Sequence, residues 1–193
     1  MRKKLELGGK KNYYEYAQQY KIIMESAKKV IKAPCIDSSI ECYCGYNYEQ
    51  INEYLRFDKK NDLYIYMEMA DILAILLSMA PRIPENIVVY RLVCDEFINQ
   101  LIANNRDGIP LLEKGFISTS LLKDIIKSEE SYSRYKNLLK IYVKKGTIGI
   151  YVNEITTRAE EEILLYPNGY FKLLRKPYQY KDKNVYECEL FYF

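Results

Sequence analysis

The chain contains no histidine. That absence excludes Ser-His-Asp and Cys-His catalysis, and it removes the commonest ligand of transition metals, so a metal-free chemistry is expected. Cysteine is sparse and odd in number, at Cys35, Cys42, Cys44, Cys94 and Cys188. The only close spacing, Cys42-x-Cys44, is neither a zinc knuckle nor a thioredoxin-type pair, and free thiols in a reducing compartment follow. Long apolar runs are missing as well. The longest strongly apolar stretch, Ile72 to Ala80, is too short to span a bilayer, so no membrane partner is expected. At the amino terminus Met1-Arg2-Lys3-Lys4-Leu5-Glu6 leads into Gly8-Gly9-Lys10-Lys11 and not into an apolar core, which is not the pattern of a secretory signal peptide. Excess charge is lacking too: 29 basic residues against 26 acidic ones leave a net +3, which demands no nucleic acid.

What is present suits one domain spanning residues 1–193, because 49% hydrophobic content at this length can bury a sizeable core. The 21 tyrosines read as half-buried helix and strand residues with their hydroxyls in water. With the lysines they could instead make a stacking surface for single-stranded nucleic acid, the lesser alternative. No internal repeat, low-complexity tract or flexible linker interrupts the chain.

Periodicity divides the sequence in two. From Asn12 to Ile31 the apolar and aromatic residues recur at three and four, which predicts a helix closed by Pro34. After a loop containing Gly45, helices are predicted at Tyr48 to Phe57 and at Leu63 to Met79, the latter ended by Pro81. The texture then becomes β-branched. Ile87 to Tyr90 is the first predicted strand, a short helix is expected over Asp95 to Ala103, and Arg106-Asp107-Gly108-Ile109-Pro110 is a turn. Strands are predicted at Gly115 to Ser120, Leu138 to Val143, Thr147 to Val152, Glu162 to Tyr166, Tyr170 to Leu174 and Val185 to Phe193, with Pro167-Asn168-Gly169 as one of the turns between them. Asp124 to Arg134 could be helix or loop. Helices over about 1–82 followed by strands over about 83–193 define an α+β domain.

Three of these strands carry a polar group at one end. Arg91 follows Ile87-Val88-Val89-Tyr90, Ser118-Thr119-Ser120 follows Gly115-Phe116-Ile117, and Glu160-Glu161-Glu162 precedes Ile163-Leu164-Leu165. Strand alternation would put Glu160 and Glu162 on one face and Glu161 on the other. Paired carboxylates can stabilise positive charge and move a proton, although a charged run before an apolar strand is more often a solvated guard against aggregation.

The order of these groups resembles the bacterial mono-ADP-ribosyltransferase exoenzymes of the Arg, Ser-Thr-Ser, Glu-x-Glu class, which include Rho-modifying exoenzymes and the catalytic components of actin-modifying binary toxins. The resemblance runs from about Gln50 to Tyr170. It is carried by Ile51-Asn52-x-x-Leu55-Arg56, Pro84-Glu85-Asn86-Ile87 with Tyr90-Arg91, Gly115-Phe116-Ile117-Ser118-Thr119-Ser120-Leu121, Val143-x-Lys145-Gly146 and Glu160-Glu161-Glu162-Ile163-Leu164-Leu165. It implies helices leading into two packed, mainly antiparallel sheets around an NAD cleft. It also implies that Arg91 grips the NAD diphosphate, with Asn52 and Arg56 adding phosphate and ribose contacts and the backbone of Leu92 meeting the carboxamide. Glu162 would stabilise the ribose cation, Ser118 would hold Glu162, and Glu160 would direct transfer to arginine; Glu161 would have no chemical part. The expected activity is transfer of ADP-ribose from NAD, as substrate, to an arginine of a host protein, with actin or a small GTPase as the leading targets and NAD hydrolysis as a side reaction. A monomer, secreted or injected into the host cytosol, goes with this reading. The loop 153–159 lacks the aromatic residue that some relatives use to engage their protein substrate. Tyr132 and Arg134 are candidates for further NAD contacts. The competing reading is a binding module that keeps the fold without turnover.

Overall fold

In the computed structural model the described residues are 39–57, 64–123, 134–152 and 161–193. The helix predicted over Asn12 to Ile31, Tyr132, the loop 153–159 and Glu160 lie outside them.

The described chain opens with α1 (Ser39–Cys42), which passes through a π-type turn (Tyr43–Asn47) kinked at Gly45 into α2 (Tyr48–Phe57). The sequence predicted a loop here, but Ile40, Tyr43 and Cys44 are buried, and their burial holds the segment helical. Within α2, Ile51 and Asn52 are buried, Glu49 lies in the first turn and Arg56 in the last, which suits the helix dipole. Helix α3 (Tyr64–Met79) buries Met69, Ala70, Ile72, Leu73, Leu76 and Leu77, and it stops just before Pro81.

Nine strands follow with one helix among them. They are β1 (Ile87–Val93), β2 (Leu111–Glu113), β3 (Ile117–Ser120), β4 (Asn137–Val143), β5 (Gly149–Tyr151), β6 (Glu162–Leu165), β7 (Gly169–Leu173), β8 (Tyr178–Tyr180) and β9 (Lys183–Phe191), with α4 (Asp95–Arg106) after β1. Helix α4 is longer than predicted. Asp95 and Glu96 open it, Arg106 closes it, and Asn105 ties it to the sheet by accepting from Leu173 N at 2.8 Å. Strands β2 and β8 have three residues each and were missed by sequence, because alternation cannot be read over so short a span.

Hydrogen bonding runs through one mixed sheet in the order β2-β7-β9-β4-β1-β3-β6-β5, with β8 on β9. The α+β expectation holds, and all pairs are antiparallel except β4 with β9. The expected division into two sheets survives as a narrow join, since β1 and β3 share the single register pair Tyr90↔Ser120.

Two apolar clusters pack on this sheet. The larger unites Ile51 and Leu73, Leu76 and Leu77 of the helices with Ile87, Val89, Ile141, Ile163 and Leu165. Burying each such side chain contributes about 1.5–3 kcal/mol. The smaller joins Leu92, Leu138 and Val185, with Tyr90, Tyr135, Tyr178 and Tyr180 packed against it. Beside it the buried Glu187 accepts from Lys140 Nζ at 3.2 Å, Tyr142 Oη at 3.0 Å, Tyr178 Oη at 3.1 Å and Arg175.

Candidate active site

The positions of three strands follow from alternation. In β1, Ile87, Val89 and Val93 belong to the larger core, so Arg91 projects from that same side. Arg91 thus lies within the strand, two residues from its end, and not after it as the sequence suggested. Strand β6 pairs with β3 in the register Ser118↔Leu164 and Ser120↔Glu162, which makes Ser118 and Glu162 diagonal neighbours on one face. Ser118 Oγ donates to Glu162 Oε1 at 2.5 Å, and Glu162 is only 3% exposed. Thr119 points the other way and donates from Oγ1 to Ile163 O at 2.7 Å, while Ser120 Oγ accepts from Leu122 N at 2.9 Å and fixes the turn out of the strand.

A cavity of about 950 Å³ opens between α2, the end of β1, the start of α4 and the strands β2, β3 and β6. Asn52, Arg56, Arg91, Leu92, Ser118 and Glu162 all border it, so the described residues that sequence singled out converge on one cleft. Its volume suits a small-molecule or cofactor site. Glu160 lies outside the described residues. The alternation that would align it with Glu162 stops short of it, because β6 begins at Glu162 and Glu161 has a left-handed backbone with φ of 48°.

Arg91 carries an observation that points to a ligand. Its Nη1 is buried and has no hydrogen-bond partner among the described residues. A buried donor left unmatched costs about 1–3 kcal/mol, more when charged, and a bound anion would remove that cost. The residues present therefore fit a diphosphate.

Arg56 is differently engaged. It forms a two-point pair with Glu113, Nε to Oε1 at 2.8 Å and Nη2 to Oε2 at 3.0 Å, and Glu113 Oε1 also accepts from Gly115 N at 2.8 Å. Burial pushes the Glu113 carboxyl up, but the bonds from Arg56, the field of Arg91 and the Gly115 amide hold it below its ordinary value. Sequence reasoning missed Glu113. Its one signal was a glutamate closing the apolar pair Leu111-Leu112, two residues before the glycine of Gly115-Phe116-Ile117.

Asn52 is buried, and both ends of its amide are used within the protein. Oδ1 accepts from Phe116 N at 2.8 Å and Nδ2 donates to Tyr43 Oη at 2.9 Å, while Tyr43 Oη donates to Phe116 O at 3.2 Å. Asn52 and Tyr43 thus pin the main chain just ahead of Ser118. Burial drives the Tyr43 phenol far above its ordinary range, although Arg91 and the Asn52 bond pull the other way, so it remains a neutral donor. Gly115 permits the close approach: a Cβ there would lie 2.7 Å from Asn52 Oδ1.

Leu92 borders the cavity while belonging to the smaller apolar cluster. Arg134 and Tyr135 also border the cavity; Arg134 was a sequence candidate and Tyr135 was not. Among the described residues no group of three His, Cys, Asp or Glu side chains is placed to hold a metal ion, and no helix is long and apolar enough to cross a membrane.

Comparisons with known proteins identify the family and the fold. The chain matches the ADP-ribosyltransferase exoenzyme family over residues 9–185, and it belongs to that family. No curated protein sequence matches it. Among solved structures it is similar to Plx2a, an ADP-ribosyltransferase toxin from Paenibacillus larvae, with TM-score 0.70 and 19% identity over 94% of this chain and 92% of that one. The Clostridium limosum C3 exoenzyme gives TM-score 0.69 and 16% identity over 94% and 92%. BECa, the ADP-ribosylating toxin of a C. perfringens binary enterotoxin solved with NADH, gives TM-score 0.70 and 19% identity over 95% of this chain, which spans only 46% of BECa. The protein is thus of the ADP-ribosyltransferase exoenzyme class, for which NAD is the substrate.

Proposed function

We propose that the chain transfers ADP-ribose from NAD to an arginine of a host protein and hydrolyses NAD slowly when no acceptor is bound. The observation that carries this reading is the Ser118–Glu162 hydrogen bond in the same cleft as the unmatched Arg91 Nη1. Arg91 grips the diphosphate, for which a planar, always charged guanidinium is suited. Arg56, held in place by Glu113, adds positive charge at the rim, and Asn52 acts by fixing the strand that carries Ser118.

In the reaction the bond between ribose C1′ and the nicotinamide nitrogen breaks, and its electron pair leaves with nicotinamide. The ribose becomes oxocarbenium-like, as in glycoside hydrolysis. Glu162, oriented by Ser118, accepts a hydrogen bond from a ribose hydroxyl and stabilises the cation. The acceptor guanidine nitrogen then bonds to C1′ and releases a proton to Glu160, which also pairs with the guanidinium. The glutamate at position 160 supports the arginine assignment, and actin or a small GTPase is the leading target. We assign the reaction to a single monomeric domain, secreted or injected into the host cytosol.

The test is incubation of the protein with labelled NAD and cell lysate. A labelled band that is lost in Glu162→Ala and carries the label on arginine supports the transferase. Free nicotinamide without a labelled band leaves a hydrolase. Absence of both products would overturn the proposal in favour of a binding module. Glu160→Gln should suppress transfer while sparing part of the hydrolysis, and equal loss of both would refute its assigned role.

A further inference from the structure

Glu161, the middle residue of the carboxylate run, was expected to do nothing chemical, yet both its backbone and its side chain are held in place. Its backbone is left-handed, with φ of 48°, in a residue type with no preference for that region. Three bonds fasten it and the residue that follows. Leu121 N, the first residue after Ser118-Thr119-Ser120, donates to Glu161 O at 2.9 Å. Val152 N, just past β5, donates to Glu162 O at 3.0 Å. Tyr151, the last residue of β5 and itself buried, donates from its hydroxyl to Glu161 Oε2 at 2.6 Å. The side chain of Glu161 thus ties the entry of β6 to β5, while its carbonyl ties the same point to the exit of β3.

We infer that Glu161 and Tyr151 form a positioning clamp that holds the left-handed turn at the entry of β6 and so sets how the flanking carboxylates Glu160 and Glu162 meet the acceptor. The inference rests on the reading of the cleft given above. A left-handed glutamate persists only where its surroundings hold it, and such backbone strain concentrates at functional turns. The phenol-to-carboxylate bond is one side-chain contribution to that hold. Without it the turn can relax toward the extended backbone that the sequence alone would favour. Binding of the diphosphate depends on Arg91, across the cleft on β1, and is untouched by this relaxation.

The test uses the full chain with NAD, with a small guanidine such as agmatine as acceptor, and follows nicotinamide release and guanidine modification separately. Tyr151→Phe removes the bond and keeps the ring. Glu161→Asn keeps a residue that tolerates the left-handed backbone but is too short to reach Tyr151, and Glu161→Gln keeps length and an acceptor oxygen. The clamp predicts that Tyr151→Phe and Glu161→Asn each lower kcat for transfer about tenfold, with KM for NAD within about twofold of wild type, a change of ~1.4 kcal/mol in the barrier. Glu161→Gln should recover most of the activity. The double variant should be no worse than either single one, because both break the same bond. Unchanged transfer in both single variants, or losses that multiply in the double variant, would overturn the clamp. A rise in KM for NAD that accounts for the loss would overturn it too. Thermal midpoints recorded alongside separate loss of positioning from loss of fold, and a variant whose midpoint falls is judged by its guanidine-to-hydrolysis ratio, which unfolding alone does not move. Glu162→Ala is run beside them. If it still cleaves NAD, the reading of the cleft fails; if it is inactive while Tyr151→Phe and Glu161→Asn behave as wild type, the clamp alone fails.

Discussion

Replacing Glu113 by glutamine tests whether the cleft is built on a buried ion pair. The substitution keeps the shape of the side chain and removes its charge. Glutamine can still offer one oxygen to both Arg56 Nε and Gly115 N, which share Oε1, but its NH2 group would then face Arg56 Nη2, donor against donor. Breaking a buried pair typically costs about 3–5 kcal/mol. The Arg56 side chain is 33% exposed, so water can take up part of its loss, and ~2–3 kcal/mol is the expected cost here. The assay is urea unfolding at neutral pH, where an m-value of about 2 kcal/mol/M turns that cost into a midpoint about 1–1.5 M lower. The pH dependence has a definite sign. The Glu113 carboxyl is held below its ordinary value in the folded state, so its contribution is complete above the unfolded carboxylate pKa of about 4.3. It is lost as pH falls through the lower folded value. The gap between wild type and Glu113→Gln should therefore be constant near neutrality and close in acid. An unfolding free energy within about 0.5 kcal/mol of wild type at neutral pH, or a gap that does not narrow in acid, would refute the ion-pair account.

Three further outcomes are expected. Ser118→Ala removes one charge-assisted hydrogen bond to Glu162, worth about 1.5–3 kcal/mol, and should lower kcat for NAD cleavage about 10- to 100-fold with little change in NAD affinity by calorimetry. Gly115→Ala would drive its methyl group against Asn52 Oδ1, loosening the bond to Phe116 N; a loss of about 1–3 kcal/mol in urea unfolding is expected, with a smaller added effect when Asn52 is already alanine. Glu187→Ala strands Lys140 and the hydroxyls of Tyr142 and Tyr178 on the far face of the sheet, and should cost about 1–3 kcal/mol of stability while leaving kcat for NAD cleavage unchanged.

The long periodic elements were legible in the sequence. Helix α2 has the predicted limits and α3 is within one residue of them, because an apolar stripe marks α2 and a long apolar run closed by Pro81 marks α3. Arg91, Ser118 and Glu162, singled out by the order of their motifs, border one cleft. Contacts between distant segments were not legible. Nothing in Glu113 or Asn52 alone says that the first closes on Arg56, 57 residues away, or that the second holds Phe116, 64 residues away. The strand reading of the carboxylate run fails at Glu161 for a related reason. Alternation assumes extended backbone, and the bonds from Leu121 and Tyr151 that accompany a different conformation at Glu161 come from other strands.

The single register pair between β1 and β3 has a mechanical consequence. Arg91 stands beside it on one wing of the sheet, and Ser118 with Glu162 on the other. Changing the angle between the wings would strain one rung of the ladder, where a full-length strand pair would strain several. The span from guanidinium to carboxylate therefore bridges the least-fastened join in the sheet.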